Sequence, residues 1–202
     1  MKQCLIIFTR YPEPGKTKTR LIPILGAEGA AKLQRQMTEQ KLAEAKKLQQ
    51  IHPLFVEVHF TGGNQQLMQD WLGNLNYKQQ SQGDIGCRMA AAFQTAFEEG
   101  MKQVVLIGID CPDLKAELMA EAFQALNKHD LVLGPAKDGG YYLIGLNCLI
   151  SELFIGITWS TEEVLEQTKN IAQKLGLAVA YLPTLSDIDR PEDLSVLYPD
   201  KS

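Results

Sequence analysis

Basic side chains cluster in a proline-rich loop that follows the first apolar run of the chain. Residues 9–21 read TRYPEPGKTKTRL, in which the prolines and Gly15 oppose a helix, while Lys16, Lys18 and Arg20 lie close together. An arginine fork matches a phosphate and lysine adds a mobile positive charge, so this loop suits a diphosphate. The alternative is a solvated basic turn. The position after a first strand favours binding, because parallel sheets bind ligands beyond the carboxyl ends of their strands.

An aspartate ends a second apolar run, in residues 104–114 (VVLIGIDCPDL). Magnesium prefers one or two carboxylates together with phosphate oxygens and water, so Asp110 is well placed to join the protein to a diphosphate. Mg²⁺, or Mn²⁺ in its place, is the expected cofactor. Asp113 is either a second ligand or, as we favour, the cap of the following helix. Cys111 has no histidine near it in the sequence and is expected to pack as a thiol rather than act as a nucleophile.

A third segment, residues 131–146 (LVLGPAKDGGYYLIGL), places Asp138 beside two glycines and between two strands. Adjacent glycines let the backbone approach a ligand closely, so Asp138 could contact a sugar hydroxyl, assist a metal or act as a base. The alternative is a hairpin with an Asp-Gly turn, which is the common meaning of that dipeptide. Taken alone, this pattern favours the hairpin.

Carboxylates also gather near the C-terminus, in residues 186–194 (SDIDRPEDL). Asp187 and Asp189 follow another expected strand, and several carboxylates at one edge of a sheet repel each other unless a cation joins them. The alternative is that Asp189 and Asp193 support the N-terminus of a short helix. Both interpretations are compatible.

The segment at residues 82–89 (QGDIGCRM) precedes an expected helix. There, Gly86 and Arg88 could present a backbone amide and a guanidinium to a nucleotide. The three histidines show no metal-ligand or triad spacing, and Trp159 is expected to pack rather than to stack on a ligand.

Short β-branched runs alternate with longer amphipathic stretches, which predicts an α/β protein. The expected fold is a Rossmann-like, three-layer α/β/α arrangement with a mainly parallel mixed sheet. Ser160 and Glu163 match a capping box that would begin the last long helix, and Pro191 indicates a short helix over residues 191–198. The expected strands are residues 4–9, 54–60, 104–109, 131–134, 141–146 and 178–182, and the expected helices are residues 27–50, 65–72, 86–99, 115–128 and 161–175.

The length of 202 residues predicts a single domain over residues 1–202. A net charge of -4 argues against a nucleic-acid partner, because neutralising a duplex requires a broad basic surface. The four cysteines are scattered and predict reduced thiols. No segment has the ~20 apolar residues of a membrane span, so a cytoplasmic protein is expected. The sequence leaves the oligomeric state open.

Taken in order, six segments resemble a family of small bacterial proteins that are classed as glycosyltransferases. That family belongs to the nucleotide-diphospho-sugar transferase superfamily, which has the GT-A fold. The Lys-x-Arg-Leu and Asp110 segments are also similar, more distantly, to phospholactate guanylyltransferase and to molybdenum-cofactor nucleotidyltransferases. The six segments are FTRYPEPGKTKTRL, QGDIGCRM, IGIDCPDL, LGPAKDGGYYLIGL, TWST and DIDRPEDL.

The resemblance implies a role for each matched position. It places Gly15, Lys18 and Arg20 on phosphates, Asp110 and Asp189 on the metal, and the loop of Asp138, Gly139 and Gly140 beside the transferred group. It also implies a nucleotide-sugar or a nucleoside triphosphate as substrate, and a small-molecule acceptor.

Two departures from the superfamily bear on the reaction. The first loop is Pro-Glu-Pro-Gly-Lys rather than glycine-rich, and DCPD is a loose form of the D-x-D motif. The leading hypothesis is metal-dependent glycosyl transfer from a nucleotide-sugar, with Asp138 as the base. The alternative is nucleotidyl transfer to a phosphorylated small molecule with release of pyrophosphate. A third hypothesis is a non-catalytic nucleotide-sugar binding protein.

Overall fold

A computed structural model describes residues 2–196 of the chain, so Met1 and residues 197–202 of the predicted domain lie outside the described residues. Within residues 2–196, seven strands form one mixed sheet in the order β3-β2-β1-β4-β6-β5-β7. The strands are β1 (Gln3–Arg10), β2 (Phe55–Thr61), β3 (Asn76–Gln79), β4 (Gln103–Ile107), β5 (Leu131–Pro135), β6 (Tyr141–Leu146) and β7 (Val179–Tyr181).

Helices cover both faces of this sheet. Alternate residues of β1 point to opposite faces, because side chains alternate along a strand. Leu5 and Ile7 pack in the core beneath α1 (Ile22–Ile51) and α4 (Ala116–Ala125). Ile6 and Phe8 pack beneath α3 (Ile85–Glu98). This confirms the three-layer α/β/α fold. The helices are α1 (Ile22–Ile51), α2 (Gln65–Leu72), α3 (Ile85–Glu98), α4 (Ala116–Ala125) and α5 (Val164–Lys174), with short 3-10 helices at Thr19–Leu21, Ser151–Phe154 and Pro191–Val196.

Strand directions determine where polar residues meet. β1 runs parallel to β4, and β5 runs parallel to β7. β6 is antiparallel to both β4 and β5, so β4 and β5 point the same way. The carboxyl ends of β1, β4, β5 and β7 therefore share one edge of the sheet, and the four polar segments that follow them begin there.

Most predicted elements are confirmed, and the exceptions have local causes. β3 was not predicted because its sequence, Asn-Tyr-Lys-Gln, lacks an apolar run, and it lies at the edge of the sheet. The capping-box prediction is wrong: α5 begins at Val164, and Ser160 has a φ of 66° instead of the extended conformation of an N-cap. The short helix at Pro191 is confirmed to Val196, and residues 197–198 of the predicted span lie outside the described residues.

A residue distant in sequence supports the start of α4. The N-cap position is Lys115 and its side chain makes no capping hydrogen bond, so the prediction of Asp113 as the cap is wrong. Instead, Glu44 of α1 accepts a hydrogen bond of 3.1 Å from the backbone N–H of Ala116. Glu44 interrupts the apolar stripe of α1, and this contact provides a structural reason for it.

Within residues 2–196, no helix combines the length and the apolar character that crossing a bilayer requires.

A buried charge network joins β2 to β3. Glu57, whose side chain is 6% exposed, accepts a hydrogen bond of 2.9 Å from His59 and lies 3.0 Å from Lys78. Burial raises the pKa of Glu57, but the hydrogen bonds from His59 and Lys78 outweigh it and leave that pKa below its usual value. Lys78 also pairs with Glu99, which is 45% exposed. One ammonium therefore bridges a buried carboxylate and a surface carboxylate.

Replacing Glu57 with Ala should lower the free energy of unfolding by about 3 kcal/mol at pH 7. The reason is that Lys78 and His59 lose the buried carboxylate with which they pair. The control is Glu99→Ala, which removes the exposed partner of the same lysine and should cost less than about 1 kcal/mol. Urea denaturation measures both.

The contribution of Glu57 should also depend on pH. A lowered carboxyl pKa stabilises the fold above the pKa of the unfolded chain, and this stabilisation disappears as the pH falls through the folded pKa. Acidification should therefore reduce the stability difference between wild type and Glu57→Ala. Equal losses for Glu57→Ala and Glu99→Ala at pH 7 would contradict a buried, coupled role for Glu57.

Candidate functional site

A cleft of about 1230 Å³ opens at the carboxyl edge of the sheet. The segments that follow β1, β4, β5 and β7 all contribute to its lining, as expected for ligand sites in parallel sheets. Its lining is strongly charged and carries more carboxylates than cations. The carboxylates are Asp110, Asp138, Glu162, Asp187, Asp189, Glu192 and Asp193, and the cations are Arg20, Lys137 and Arg190.

Lys18 forms a buried ion pair with Asp110. Its Nζ donates hydrogen bonds of 2.7 Å to Asp110 Oδ1 and 2.6 Å to the backbone oxygen of Ile188. The lysine side chain is 4% exposed, whereas that of Asp110 is 46% exposed. Because burying an unpaired ammonium is costly, Lys18 requires these partners, and the carboxylate still borders the cleft. Lys18 also has a left-handed backbone (φ 44°), which is uncommon for a residue other than glycine.

A second ion pair, between Arg20 and Asp189, lies nearer to solvent. Arg20 Nη1 donates a hydrogen bond to Asp189 Oδ2, and both side chains are substantially exposed. The backbone N–H of Ile188 donates to the backbone oxygen of Asp110 at 2.9 Å, which fixes the two aspartate segments side by side. The structure thus brings two of the three predicted phosphate-binding residues, Lys18 and Arg20, together with the two predicted metal ligands as cation–carboxylate pairs.

Asp138 lies in the hairpin between β5 and β6. Its Oδ1 accepts a hydrogen bond of 2.9 Å from the backbone N–H of Gly140, so the predicted turn is present and the carboxylate remains exposed at the cleft. The backbone N–H of Lys137 donates to Leu185 at 3.0 Å, which joins the hairpin to the segment that carries Asp187 and Asp189.

Gly139 permits a very close backbone approach. It has a φ of 87°, and a Cβ atom added there would lie 2.1 Å from the backbone oxygen of Glu162. Its own carbonyl accepts a hydrogen bond of 2.9 Å from the N–H of Leu165 in α5. The glycine therefore fixes the Asp138 loop against the start of α5.

Asp187 is a member of the carboxylate cluster to which the sequence assigned no definite role. Burial raises the pKa of its carboxyl group, and the negative charges of Asp138, Asp193 and Asp110 raise it further. Such crowding is relieved by a cation, so the donor set fits a divalent ion. Within residues 2–196, however, no three His, Cys, Asp or Glu side chains are arranged to hold a metal by themselves. An ion here would need oxygens from a substrate and water, which suits magnesium.

Four predicted phosphate- or nucleotide-binding positions lie outside the lining of the cleft, and one of them is the buried Lys18. Gly15 occupies an exposed turn with a φ of 79°. Arg88 Nε donates to the backbone oxygen of Gly83 at 2.9 Å. Gly86 is buried beneath the indole ring of Trp159, and it is Trp159 that borders the cleft. The prediction that Trp159 packs is correct, but its position at the cleft was not anticipated.

Lys41 supports the Asp110 loop from behind. It lies in α1, is 1% exposed and donates hydrogen bonds to the backbone oxygens of Leu114 (2.9 Å) and Pro112 (3.4 Å). Burial lowers its pKa to about 8, and the positive charge of Lys115 acts in the same direction. A single lysine in a helix has no sequence signature that would identify this contact.

Cys111 also borders the cleft. Burial raises the pKa of its thiol, which agrees with a packed rather than a nucleophilic cysteine.

Comparisons with known proteins identify a family and related structures. Residues 42–161 match the family described as "Uncharacterized protein conserved in bacteria (DUF2064)". A structure from Desulfovibrio desulfuricans G20, described as a "putative nucleotide-diphospho-sugar transferase", is 36% identical with a TM-score of 0.91, covering 100% of this chain and 89% of that one. No curated protein sequence matches the chain.

More distant structures share the fold. A 4-diphosphocytidyl-2C-methyl-D-erythritol synthase from Anaerococcus prevotii DSM 20548 has a TM-score of 0.63 at 12% identity, covering 96% of this chain and 95% of that one. Rv0371C from Mycobacterium tuberculosis H37Rv, in complex with manganese, has a TM-score of 0.59 at 11% identity, covering 99% and 100%. At such identities the likeness concerns the fold alone.

Adding a methyl group at Gly139 should test its contact with α5. Gly139→Ala should lower the free energy of unfolding by about 2 kcal/mol more than Gly156→Ala, because the new atom overlaps a backbone oxygen. Gly156 is a matched control, since it has a φ of 74° but open space around its Cβ position. Urea denaturation of both variants measures the difference. Equal losses would show that the loop is not held against α5.

The buried ammonium of Lys41 should make stability depend on pH. With a folded pKa of about 8 and an ordinary value of 10.5, the unfolded chain binds more protons between these values. Stability should therefore rise by about 1 kcal/mol from this group between about pH 7 and pH 9.

Lys41→Met should remove that rise, whereas Lys46→Met, an exposed change on the same helix, should retain it. Urea denaturation across this pH range measures the difference. Parallel stability curves for wild type and Lys41→Met would contradict a charged, buried Lys41.

Proposed function

The chain belongs to the bacterial family DUF2064, and we propose that it is a metal-dependent glycosyltransferase that uses a nucleotide-diphospho-sugar donor. It is an enzyme, with the fold of transferases that act on nucleotide substrates. The observation that carries the proposal is the pair of ion pairs at the carboxyl edge, Lys18 with Asp110 and Arg20 with Asp189. A diphosphate needs cations and its metal needs carboxylates, and these pairs hold both in one place.

Substrate binding would change the partner of Arg20 and leave Lys18 in place. Arg20 is exposed and its pairing with Asp189 contributes little at the surface, so its guanidinium can turn to a phosphate at small cost. Lys18 is buried and acts as a fixed positive charge beneath the site. Asp110 and Asp189 would hold Mg²⁺ or Mn²⁺. When bound, such an ion neutralises charge on the leaving nucleoside diphosphate.

Asp138 is the proposed base. Gly140 orients its carboxylate, and the exposed position of the loop gives an acceptor hydroxyl access to it. The acceptor oxygen forms a bond to the anomeric carbon as the bond from that carbon to the diphosphate oxygen breaks. The hydroxyl proton passes to Asp138, and the nucleoside diphosphate leaves with the electron pair.

We place the enzyme in the cytoplasm, as one catalytic domain acting on small molecules. All four cysteines are free, and two of them are buried as thiols, which supports a reducing compartment.

The test incubates the purified chain with a panel of nucleotide sugars and Mg²⁺ or Mn²⁺, and measures nucleoside diphosphate and pyrophosphate separately. We expect nucleoside diphosphate release that EDTA abolishes. Asp110→Asn should reduce kcat by at least about 100-fold, because it removes a charged ligand of the metal that would neutralise the diphosphate. Asp113→Asn is the matched control: Asp113 is exposed in the same loop, outside the lining of the cleft, and its loss should change kcat little.

Other outcomes would identify a different function. Pyrophosphate release from a nucleoside triphosphate and a phosphorylated acceptor, without nucleoside diphosphate release from any nucleotide sugar, would indicate nucleotidyl transfer. Metal-dependent nucleotide binding that Asp110→Asn abolishes, with no turnover by wild type, would indicate a binding protein. Full activity of Asp110→Asn would contradict the role of that carboxylate.

A further inference from the structure

Part of the lining of the cleft is apolar. Ile85 and Met89, in the first turns of α3, and Trp159, in the segment before α5, contribute to it. We call these three residues the apolar wall. Other parts of the lining are charged and include Asp110, Arg20 and Asp189 of the two ion pairs. The volume of the cleft, about 1230 Å³, is larger than the roughly 300–1,000 Å³ of an ordinary small-molecule pocket, so the cleft has room for a donor and an acceptor.

Trp159 packs closely against α3. A Cβ atom added to Gly86 would lie 2.4 Å from each of three indole atoms, Nε1, Cε2 and Cζ2. These three consecutive atoms form one edge of the indole, so that edge lies against the helix backbone at Gly86. The absence of a side chain at this glycine is what allows the ring to lie there. The segment is also held by the N–H of Thr158, which donates to Gln167 of α5 at 2.7 Å.

The wall is joined to the loop of the proposed base. Glu162, three residues beyond Trp159, is the residue against which Gly139 packs, and the N–H of Leu165 donates to Gly139. Asp138 and Trp159 are therefore attached to the same rigid contact. When the hydroxyl of an acceptor contacts Asp138, the rest of the acceptor molecule must lie in the cleft near that residue. The apolar wall offers this part of the acceptor an apolar surface.

Charge limits the kind of acceptor that this side can take. Seven carboxylates and three cations line the cleft, and the charged residues next to the segment that carries Trp159 are Asp138, Glu162 and one cation, Lys137. Of the other two cations, Arg20 is paired with Asp189. The lining as a whole therefore carries a net negative charge. A phosphorylated acceptor would be repelled there, whereas an uncharged one would not.

We propose that the apolar wall is the acceptor subsite, and that it binds an uncharged hydroxyl compound through a ring with an apolar face. Sugars and aromatic alcohols share this chemistry, since both can stack on an indole. The inference rests on the proposed glycosyl transfer. It makes Trp159 a residue that determines which acceptor binds.

The two tryptophans provide a direct test, because each gives one indole N–H signal in a ¹H–¹⁵N spectrum. Trp71 is the internal control, since it lies on α2 beside Arg35 and outside the lining of the cleft. Titration uses three probes with Mg²⁺ present: methyl glucoside, benzyl alcohol and glucose 1-phosphate. Methyl glucoside or benzyl alcohol should shift the Trp159 signal and leave that of Trp71 in place, and glucose 1-phosphate should bind at least tenfold more weakly.

Each result decides a part of the proposal. If only one neutral probe shifts Trp159, that probe identifies the ring type. If neither does, the acceptor subsite is overturned. If glucose 1-phosphate shifts Trp159 as readily as methyl glucoside does, the preference for an uncharged acceptor is overturned.

Variants separate this inference from the proposed function. Trp159→Leu, whose probe binding is measured by calorimetry because it lacks the Trp159 signal, should bind the neutral probe at least tenfold more weakly while metal-dependent hydrolysis of the donor continues. Gly86→Ala should do the same by displacing the ring, whereas Gly108→Ala, which adds a methyl group to open space in the cleft, should leave the Trp159 signal in place. Unchanged acceptor affinity in Trp159→Leu overturns the subsite alone. If wild type turns over no donor while the neutral probe still shifts the Trp159 signal, the proposed glycosyl transfer is overturned instead.

Discussion

The ammonium group of Lys18 must be neutralised inside the protein, and the carboxyl edge of the sheet is organised around that requirement. Its two hydrogen bonds reach Asp110, which follows β4, and the backbone of Ile188, which follows β7. Lys18 itself follows β1. A buried ammonium without partners would cost several kcal/mol, so the three segments are held together by a single charge. The cation site and the carboxylate site of the cleft are consequently adjacent.

Other contacts extend this arrangement to the rest of the cleft. Leu185 links the C-terminal aspartate segment to the β5–β6 hairpin, and Gly139 packs that hairpin against Glu162. Lys41 holds the Asp110 loop from α1. These contacts fix the positions of the loops that border the cleft, and they bury little apolar surface. Burial and the carboxylates around it raise the pKa of Asp187. Such crowding is unfavourable for folding by itself, as is common where a protein maintains a site for a charged ligand.

The lining of the cleft therefore combines two chemically different groups of side chains. The paired cations and carboxylates suit the diphosphate of a donor and its metal. The apolar wall, with Trp159 against the backbone of α3, suits the ring of an acceptor. Asp138 lies on the hairpin between β5 and β6, which is joined to both. A transfer reaction requires such an arrangement, because the donor, the base and the acceptor must meet within bonding distance of one another.

The element types, and the edge of the sheet at which the polar segments meet, could be predicted from the sequence. Apolar runs indicated six of the seven strands, and placing Asp110 and Asp189 after strands predicted that they would approach each other. The tertiary structure alone decided the partners. Lys18 binds a residue 92 positions away, Glu44 replaces the predicted cap at Asp113, and Gly86 packs against Trp159. The hydrophobic periodicity of a segment indicates which face of a helix or strand is buried. It does not indicate which distant residue pairs with a charged side chain, caps a helix or packs against an aromatic ring. Those pairings follow from strand order and direction, which only the folded sheet establishes.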